Sequence, residues 1–389
     1  MAVRKFHVFL LAIGLALGLS GPAISQTKNA GGLPSEDEAP IALLIDMSSG
    51  QVLHARDPDR RFAPASMTKA MTLLLAFSLL DRGELNRSEL FRVDEETWQD
   101  WNGQGSTMWL PANSQVSVDD LLLGIATVSA NDGSIALAKG HAGSVRAWTE
   151  AMNAHARSIG LSNSHFGTPN GWPDEGRTFT TARDLTTLAQ AMMRNHPEQF
   201  SRYVGRTQFT FNGITQDNRD PMIGRVAGAN GIKTGYTNES GYGFLGAAKR
   251  NGQQLIMVVG GTESQWARAN IARRYMEWGF SAFDSKPLFA AGVEVATARV
   301  QGGSSRTIAL VTDQPVFVNV PAGANPEVSV SVRYDGPIRA PFDKGKQVGS
   351  LNIQVEGMEP ANVPLYVTEA VGEANLIERI FNAFAGWFS

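Results

Sequence analysis

The hydrophobic pattern of the chain changes near residue 289, and this change limits the possible fold more than any other feature. Before that point, helical spacing alternates with short strand-like runs. After it, helical spacing disappears until residue 373, and residues 328–333 and 351–356 alternate between apolar and polar side chains. Period-two alternation interrupted by glycine and proline is typical of a small all-β unit. The chain of 389 residues is therefore expected to contain two structurally different domains.

Residues 40–285 are predicted to form the first domain, with strands first and last and helices between them. A nearly continuous apolar run over residues 66–80 indicates a helix that is buried on most sides. Capping signatures at Ser117 and Thr181 indicate the starts of two further helices. An Asn-Gly pair at 251–252, between two apolar runs, indicates a hairpin. This order favours an α/β (α+β) domain in which a cluster of helices packs on an antiparallel sheet.

The first 39 residues are predicted to lie outside that domain. Arg4 and Lys5 precede an apolar run over residues 6–19, and small residues follow it. This arrangement is typical of a secretory signal peptide, here residues 1–25, which export would remove. Residues 26–39 are polar and rich in glycine, proline and acidic residues, so they are predicted to be a flexible lead-in.

Residues 286–371 are predicted to form the β-rich second domain, and residues 372–389 an amphipathic helix. Leu376, Ile380 and Phe384 fall on one face of that helix, which is shorter than the roughly 20 residues needed to span a bilayer. One interpretation is an interfacial helix with its apolar face in one membrane leaflet. The other is a terminal helix docked on its own protein, because the polar face has few of the lysines and arginines that anionic lipids attract.

Composition excludes several kinds of site. The chain has no cysteine, which excludes disulfides, thiolate metal sites and a cysteine nucleophile. Its six histidines form no spaced metal-binding motif, so we expect a mechanism without a metal or another cofactor. Lysine and arginine (34) nearly balance aspartate and glutamate (37). The sequence therefore predicts no basic surface for nucleic acid.

The start of the predicted buried helix carries a possible nucleophile and base. Ser66 and Lys69 are three positions apart, and such residues are neighbours on one helical face. A lysine in an apolar, dipole-positive environment near another cation can lose its proton near neutral pH. Lys69 could then activate the Ser66 hydroxyl, which is the serine–lysine form of nucleophilic catalysis.

Two further motifs follow in order, Ser129-Ala130-Asn131 and Lys233-Thr234-Gly235. Each motif alone is a weak signal, and residues 25–28 and 350–352 also fit two of the three patterns. Ser66 could be a plain helix cap, Ser129 and Asn131 part of a helix-end turn, and Lys233 a charge on an edge strand. The order and context of the motifs favour a shared site over these separate roles.

Together the three motifs resemble the D-alanyl-D-alanine carboxypeptidases, which are low-molecular-mass penicillin-binding proteins. The resemblance extends to the residues around the motifs, including 61–69, 105–108 and 231–237. The β-rich unit and the terminal amphipathic helix also match, so the resemblance covers nearly all of the chain after residue 25. It implies a serine β-lactamase-like catalytic domain followed by a small all-β domain.

The resemblance also implies a role for each motif residue in catalysis. Ser66 would attack the carbonyl between two terminal D-alanines of a peptidoglycan stem peptide, and Lys69 would take its proton. Ser129 would relay a proton to the departing amine. Asn131 would hydrogen-bond an amide of the substrate.

The remaining implied residues would bind the substrate. Lys233 would hold positive charge over the pocket, and Thr234 would hydrogen-bond the substrate carboxylate on the same strand as Gly235. The backbone N–H groups of Ser66 and Tyr236 would form an oxyanion hole. Tyr236 stands where family members often have histidine. Arg268 is a further candidate for the carboxylate. A solvated helix arginine is the alternative for Arg268, because its spacing from the preceding glycine pair is one residue longer than expected.

The implied function is a serine D-Ala-D-Ala carboxypeptidase of the periplasm, peripheral on the outer face of the cytoplasmic membrane and inhibited by β-lactam antibiotics. A D,D-endopeptidase that cuts peptidoglycan cross-links by the same chemistry stays open. A class A β-lactamase is disfavoured because no Glu-x-x-Leu-Asn loop occurs in the chain. A non-catalytic wall-binding protein is disfavoured because nothing in such a protein requires Ser66, Lys69 and Lys233 together.

Overall fold

The computed structural model describes residues 32–375. These residues divide into two compact units, one made of residues 32–45 and 53–280 and the other of Asp46–Val52 and residues 281–375. The predicted signal peptide and residues 376–389 of the predicted terminal helix lie outside the described part of the chain. The proposed domain boundary between residues 285 and 286 stays a prediction.

The elements up to residue 281 alternate between strands and helices. The strands are β1 (Ile41–Asp46), β2 (Gln51–Arg56), β3 (Leu90–Arg92), β4 (Gln115–Ser117), β5 (Gln208–Phe211), β6 (Ile214–Asp217), β7 (Ala229–Thr237), β8 (Gly241–Arg250) and β9 (Gln253–Thr262). The helices are α1 (Lys69–Asp81), α2 (Glu95–Trp101), α3 (Val118–Thr127), α4 (Asn131–Ala142), α5 (Val145–Ser158), α6 (Ala182–Asn195), α7 (Pro197–Tyr203) and α8 (Gln265–Ser281).

The main sheet of this part has five strands in the order β2-β1-β9-β8-β7. Strands β7, β8 and β9 are antiparallel neighbours. At the turn between β8 and β9, Asn251 and Gly252 have φ values of 49° and 87°. Positive φ at both central residues is the requirement of the hairpin turn that Asn-Gly favours. The predicted fold class, helices with an antiparallel sheet, is confirmed.

Local capping signals position the predicted helices well. The Ser117 hydroxyl accepts the N–H of Asp120 at 3.1 Å at the start of α3. The Thr181 hydroxyl accepts the N–H of Asp184 at 3.0 Å at the start of α6. Both helices therefore begin at the residues that the sequence indicated, because the cap and its partner are close in sequence.

The helix expected to begin at Ser66 begins instead at Lys69. Ala65–Thr68 form a 3-10 turn before α1. Ala65, the first residue of that turn, has a φ of 50°, in the left-handed region. Along α1, almost every side chain is buried, as the uninterrupted apolar run predicted.

The predicted flexible lead-in is wrong for residues 32–39, which are part of the larger unit. Ala39 is fully buried, and Arg56 donates hydrogen bonds to the carbonyls of Pro34 and Ala39. Glu38 forms an ion pair with Arg274 of α8. These partners are distant in sequence, so the composition of the segment gave no sign of them.

Between residues 281 and 375, the elements that the structure describes are all strands. They are β10 (Phe283–Phe289), β11 (Glu294–Gln301), β12 (Thr307–Val311), β13 (Val316–Pro321), β14 (Val328–Tyr334), β15 (Ile338–Arg339), β16 (Gln347–Val355) and β17 (Ala361–Val367). Six of them form a sheet in the order β14-β16-β17-β12-β11-β15, and β10 pairs with β13. The predicted all-β unit is therefore confirmed.

Period-two alternation is clearest in the inner strand β16. Leu351, Ile353 and Val355 of that strand are almost fully buried. Val328 of β14 is 38% exposed, although the same alternation predicted it to be buried. The difference follows from position, because β14 is an edge strand and has a neighbour on one side alone.

The predicted start of the terminal helix at residue 372 is wrong. Glu373 forms an isolated β-bridge with Gly303, and the N–H of Ala374 bonds to the carbonyl of Gly302. Residues 372–375 therefore continue the β-rich unit. Within residues 32–375, no helix has the length and apolar character needed to cross a membrane.

Candidate active site

The Ser66 and Lys69 side chains meet at the start of α1. Lys69 Nζ lies 2.9 Å from Ser66 Oγ, and Lys69 is fully buried. The 3-10 turn places Ser66 one turn before Lys69, so the three-residue spacing brings the hydroxyl beside the amine. This is the contact that the sequence predicted.

The other neighbours of the Lys69 amine are two carbonyl oxygens. Asn131 Oδ1 lies 2.7 Å from Lys69 Nζ, and the backbone oxygen of Asn170 lies 2.6 Å from it. A neutral amine has two N–H groups and one lone pair. Both N–H groups can bond to the carbonyls, and the lone pair is then available to the Ser66 O–H. The geometry therefore suits a Lys69 that accepts a proton from Ser66.

Electrostatics favours the neutral form of Lys69. Burial lowers its pKa well below the usual range, and the positive charges of Lys233 and Arg219 lower it further. The carboxylate of Asp132 acts in the opposite direction. Burial is the largest of these effects.

The loop before β4 is tied to α4 beside Lys69. The Asp132 carboxylate accepts the N–H groups of Met108 and Leu110 at 3.0 and 3.1 Å. The Asn131 side chain donates to the carbonyl of Gln104 at 2.9 Å, while its oxygen contacts Lys69. Asn131 is therefore held from both ends, which fixes the orientation of its amide.

Strand β7 passes close to the turn that carries the nucleophile. A side chain at Gly235 would place its Cβ 2.5 Å from the Pro64 carbonyl oxygen, so glycine is required for this close approach. Lys233 and Thr234, on the same strand, are both buried. Burial lowers the pKa of Lys233 to about 7, and the charges of Arg219 and Arg268 contribute to this change.

Two family models match the chain. Residues 27–264 match the family model described as D-alanyl-D-alanine carboxypeptidase. The chain belongs to the D-alanyl-D-alanine carboxypeptidase family. Residues 283–373 match the model for the C-terminal domain of penicillin-binding protein 5. The resemblance stated from the sequence is confirmed.

Relatives match along most of their length. The D-alanyl-D-alanine carboxypeptidase DacA of Haemophilus influenzae is 32% identical, with 94% of each chain covered. DacA of Escherichia coli is also 32% identical, over 92% of this chain and 90% of its own. The crystal structure of penicillin-binding protein 5 from Haemophilus influenzae superposes with a TM-score of 0.71, at 32% identity, over 87% of this chain and 99% of that one.

Arg268 of this carboxypeptidase lies at the site and is not a solvated helix residue. It is 5% exposed, and its guanidinium lies 3.4 Å from the Gly235 carbonyl oxygen and over the Tyr242 ring. Burial lowers its pKa to about 10. Tyr236 stacks on Tyr242 with ring centres 4.1 Å apart, and the Tyr236 side chain is 48% exposed at the surface.

Ser129 lies in the short connection between α3 and α4, two residues before Asn131. It is buried and has a φ of 65°. Its position at the end of a helix fits the helix-end turn that the sequence left open. Asn131, two residues later, contacts the Lys69 amine, so Ser129 lies in the same part of the fold as Lys69. Its role as a proton relay stays a prediction.

Arg219 was missed by the sequence reasoning. It lies in the segment between β6 and β7, and its charge lowers the pKa of both Lys69 and Lys233. The side chain of Asn218 bonds to the N–H of Asp220, which orders the backbone on both sides of Arg219. No periodicity or motif marks this segment, so only the tertiary structure reveals the residue. Within residues 32–375, no group of three or more histidine, aspartate or glutamate side chains could hold a metal ion.

Proposed function

We propose that this protein removes the terminal D-alanine from peptidoglycan stem pentapeptides through an acyl-enzyme on Ser66. The observation that carries the proposal is the environment of Lys69. Its fully buried amine lies between two carbonyl oxygens and the Ser66 hydroxyl. Membership of the carboxypeptidase family supplies the class of reaction.

The first chemical step forms the acyl-enzyme. Lys69 takes the Ser66 proton while Ser66 Oγ attacks the carbonyl carbon between the two D-alanines. The backbone N–H groups of Ser66 and Tyr236 would stabilise the oxyanion, and each such donor typically contributes about 3 kcal/mol. The C–N bond then breaks, and Ser129 passes its proton to the departing amine of D-alanine while it receives one from the Lys69 ammonium, so that Lys69 is neutral again.

The second step releases the enzyme. Water attacks the ester carbonyl of the acyl-enzyme, and Lys69 again takes the proton. The ester bond to Ser66 breaks, and the Lys69 ammonium returns its proton to Ser66 Oγ, which restores the free enzyme. The products are free D-alanine and a stem peptide shortened by one residue.

The free carboxylate of the terminal D-alanine would meet a group of positive charges. Lys233, Arg219 and Arg268 influence one another electrostatically, and Thr234 lies beside Lys233 on β7. A carboxylate is bound by charge-assisted hydrogen bonds from such groups. This explains why the enzyme would act at the end of a peptide, where a free carboxylate is present.

Penicillins would acylate the same serine, because they present a reactive carbonyl beside a carboxylate. Penicillin-binding protein D2 of Listeria monocytogenes has been solved in an ampicillin-bound form. It superposes with a TM-score of 0.57 at 26% identity, over 62% of this chain and 97% of its own. Ser66 is accordingly the proposed site of acylation in this chain.

The proposed location is the periplasm, at the outer face of the cytoplasmic membrane. The charged and apolar pattern of residues 1–25 supports export, and that of residues 376–389 supports attachment. Removal of residues 376–389 should move the exported protein from the membrane fraction to the soluble fraction. Unchanged partitioning would contradict the attachment.

Release of free D-alanine from a synthetic stem pentapeptide tests the function directly. Wild type should release one D-alanine per peptide and be labelled by fluorescent penicillin, whereas Ser66→Ala should do neither. The matched control is Ser164→Ala, which removes a hydroxyl that bonds to Thr180 and Asp184. Cleavage of cross-linked dimers without release of D-alanine from pentapeptide would indicate the endopeptidase instead.

A further inference from the structure

Two tryptophan rings lie beside the Asn131 side chain, and the proposed mechanism uses neither of them. Trp172 is 40% exposed, and the Trp101 ring packs against it edge-on with ring centres 5.4 Å apart. A side chain at Gly105 would place its Cβ 2.9 Å from Asn131 Nδ2 and 3.1 Å from Trp172 Cζ3. The Trp172 ring and the Asn131 amide therefore lie on either side of one missing side chain.

The loop that carries Trp172 is fixed to the catalytic residues. The N–H of Trp172 donates to Asn170 Oδ1 at 3.0 Å, and the carbonyl oxygen of Asn170 lies 2.6 Å from Lys69 Nζ. The same short segment of backbone thus contacts the proposed base and carries the exposed ring. The position of the ring relative to the site of acylation is therefore set by the fold.

A narrow groove leads from the turn that carries Ser66 along this tryptophan. Its walls come from the turn before the nucleophile, from the Trp172 loop and from the end of β7, namely residues 63–65, 171–174, 176, 178, 237 and 239. Trp172 and Glu239 are both exposed, so a ring and a carboxylate are accessible in one groove. Asp174, the other acid of the groove, is buried and accepts two hydrogen bonds from Thr178.

The order of bonds in the substrate identifies the part that reaches this groove. Ser66 attacks the carbonyl between the two D-alanines, so the preceding amide bond joins the first D-alanine to the third residue of the stem. The resemblance assigns an amide of the substrate to Asn131, and this preceding amide is the nearest one that is not broken. The side chain of the third residue then lies beside Asn131 and so beside Trp172.

A ring and a carboxylate in one groove fit an alkyl chain that ends in a cationic amine. The methylene groups of such a chain pack on an apolar surface while its charged end stays in water. The ammonium is attracted to an aromatic ring and forms a charge-assisted hydrogen bond with a carboxylate. Glu239 would repel an acidic side chain, and a short apolar side chain would not reach it.

We propose that Trp172 and Glu239 determine specificity for the third residue of the stem peptide and favour a side chain with a free terminal amine. This inference rests on the proposed function, because it requires a peptide bound with its scissile carbonyl at Ser66. Trp172 and Glu239 contact the substrate away from the bond that breaks. Their effect should therefore be on KM, with little change in kcat.

The test compares pentapeptides that differ at the third residue alone, which is lysine, Nε-acetyllysine or alanine. For wild type, kcat/KM for D-alanine release should be about tenfold higher with lysine than with Nε-acetyllysine, as expected for one cation–π contact and one exposed ion pair. Trp172→Leu and Glu239→Gln should each reduce this preference to about threefold. Trp172→Phe keeps an aromatic ring and should retain most of the preference.

Two matched controls make the same changes outside the groove. Trp266→Leu removes a tryptophan of α8 that is 77% exposed, and Glu89→Gln removes an exposed carboxylate before β3. Both controls should keep the wild-type preference. Rates are normalised to active sites titrated with fluorescent penicillin, so unfolded protein does not enter them.

Two results would overturn the proposal. One is an equal kcat/KM of wild type for the lysine and Nε-acetyllysine peptides, which would leave the carboxypeptidase function intact and refute the specificity alone. The other is an unchanged preference in both Trp172→Leu and Glu239→Gln. If no peptide releases D-alanine, the proposed function fails, and the same peptides are then compared as competitors of penicillin labelling. Stronger competition by the lysine peptide would support the groove, and equal competition would refute it.

Discussion

Substitution of Gly171 by alanine should damage both the stability of the protein and its reaction with penicillin. Gly171 has a φ of 73°, and a Cβ at this position would lie 1.8 Å from the Ala65 carbonyl oxygen and 2.8 Å from Thr68 Oγ1. Restoring a separation of 3.0 Å requires a displacement of about 1.2 Å in the turn that carries Ser66 or in the loop that carries Asn170. The Asn170 carbonyl is one of the two acceptors of the Lys69 amine.

The magnitude has two contributions. Left-handed backbone costs a non-glycine residue about 1–2 kcal/mol, and an added methyl group in a packed region costs about 1–3 kcal/mol more. Gly171→Ala should therefore lower the free energy of unfolding by about 2–5 kcal/mol. A shift of about 1 Å in catalytic geometry can reduce the rate about a hundredfold, so acylation by fluorescent penicillin should fall by about that factor.

Gly176→Ala is the matched control for this prediction. Gly176 lies in the same loop with a φ of 79°, and its added Cβ would have nothing within 4 Å. It should show the backbone cost of about 1–2 kcal/mol and an unchanged acylation rate. Urea unfolding and the second-order rate constant of labelling measure the two effects. Equal destabilisation and equal labelling rates for the two variants would refute the close approach of Gly171 to Ala65.

Three further predictions concern charge and domain structure. The alkaline limb of the kcat/KM pH profile should lie near the Lys233 pKa of about 7. The alkaline limb of kcat should lie at higher pH, because a bound substrate carboxylate stabilises the Lys233 ammonium. Profiles of kcat and kcat/KM that share one alkaline limb would contradict this. Arg219→Gln should raise KM for the pentapeptide about tenfold with a smaller change in kcat, because a charge-assisted bond of about 1.4 kcal/mol is lost. Steady-state kinetics measures both constants, and an unaltered KM would contradict the prediction. Leu310→Ala, at a fully buried position of β12, should destabilise the β-rich unit by about 2–5 kcal/mol, as measured by urea unfolding, and a loss below about 1 kcal/mol would contradict its core position.

The parts of the structure that could be predicted from sequence depend on local interactions. The caps at Ser117 and Thr181 bond to residues three positions away, and the turn at 251–252 requires positive φ at two adjacent residues. The contact of Ser66 with Lys69 is local in the same sense, because one turn of backbone joins the two side chains. Each of these features is complete within a few residues of sequence.

The parts that could not be predicted depend on tertiary contacts. Asn170 reaches the Lys69 amine through its backbone oxygen, and any residue type can supply such an atom. Arg219 acts on Lys233 from a segment without regular structure. Residues 32–39 looked like a linker in composition, yet Glu38 pairs with Arg274 of a helix that begins far along the chain. Patterns of hydrophobicity carry no information about such contacts.

Two non-glycine residues of the candidate site have left-handed backbone, a feature that the sequence did not predict. Ala65 and Ser129 have φ values of 50° and 65°, in a region that costs a non-glycine residue about 1–2 kcal/mol. Such strain persists only where surrounding structure over-determines the backbone, and it is concentrated at functional sites. Ala65 turns the chain so that the 3-10 turn, and not a regular helix, presents Ser66 to Lys69.

Glycine would relieve the strain at either position, but its effects would differ. At Ser129 it would remove the hydroxyl that the proposed mechanism uses for proton transfer. At Ala65 it would remove a buried methyl group that lies against the close approach of β7, where a Cβ on Gly235 would come within 3.3 Å of the Ala65 Cβ. The methyl group at 65 and the missing side chain at 235 are therefore complementary. Together they bring the strand that carries Lys233 against the turn that carries Ser66, which places the positive charge where it keeps Lys69 neutral.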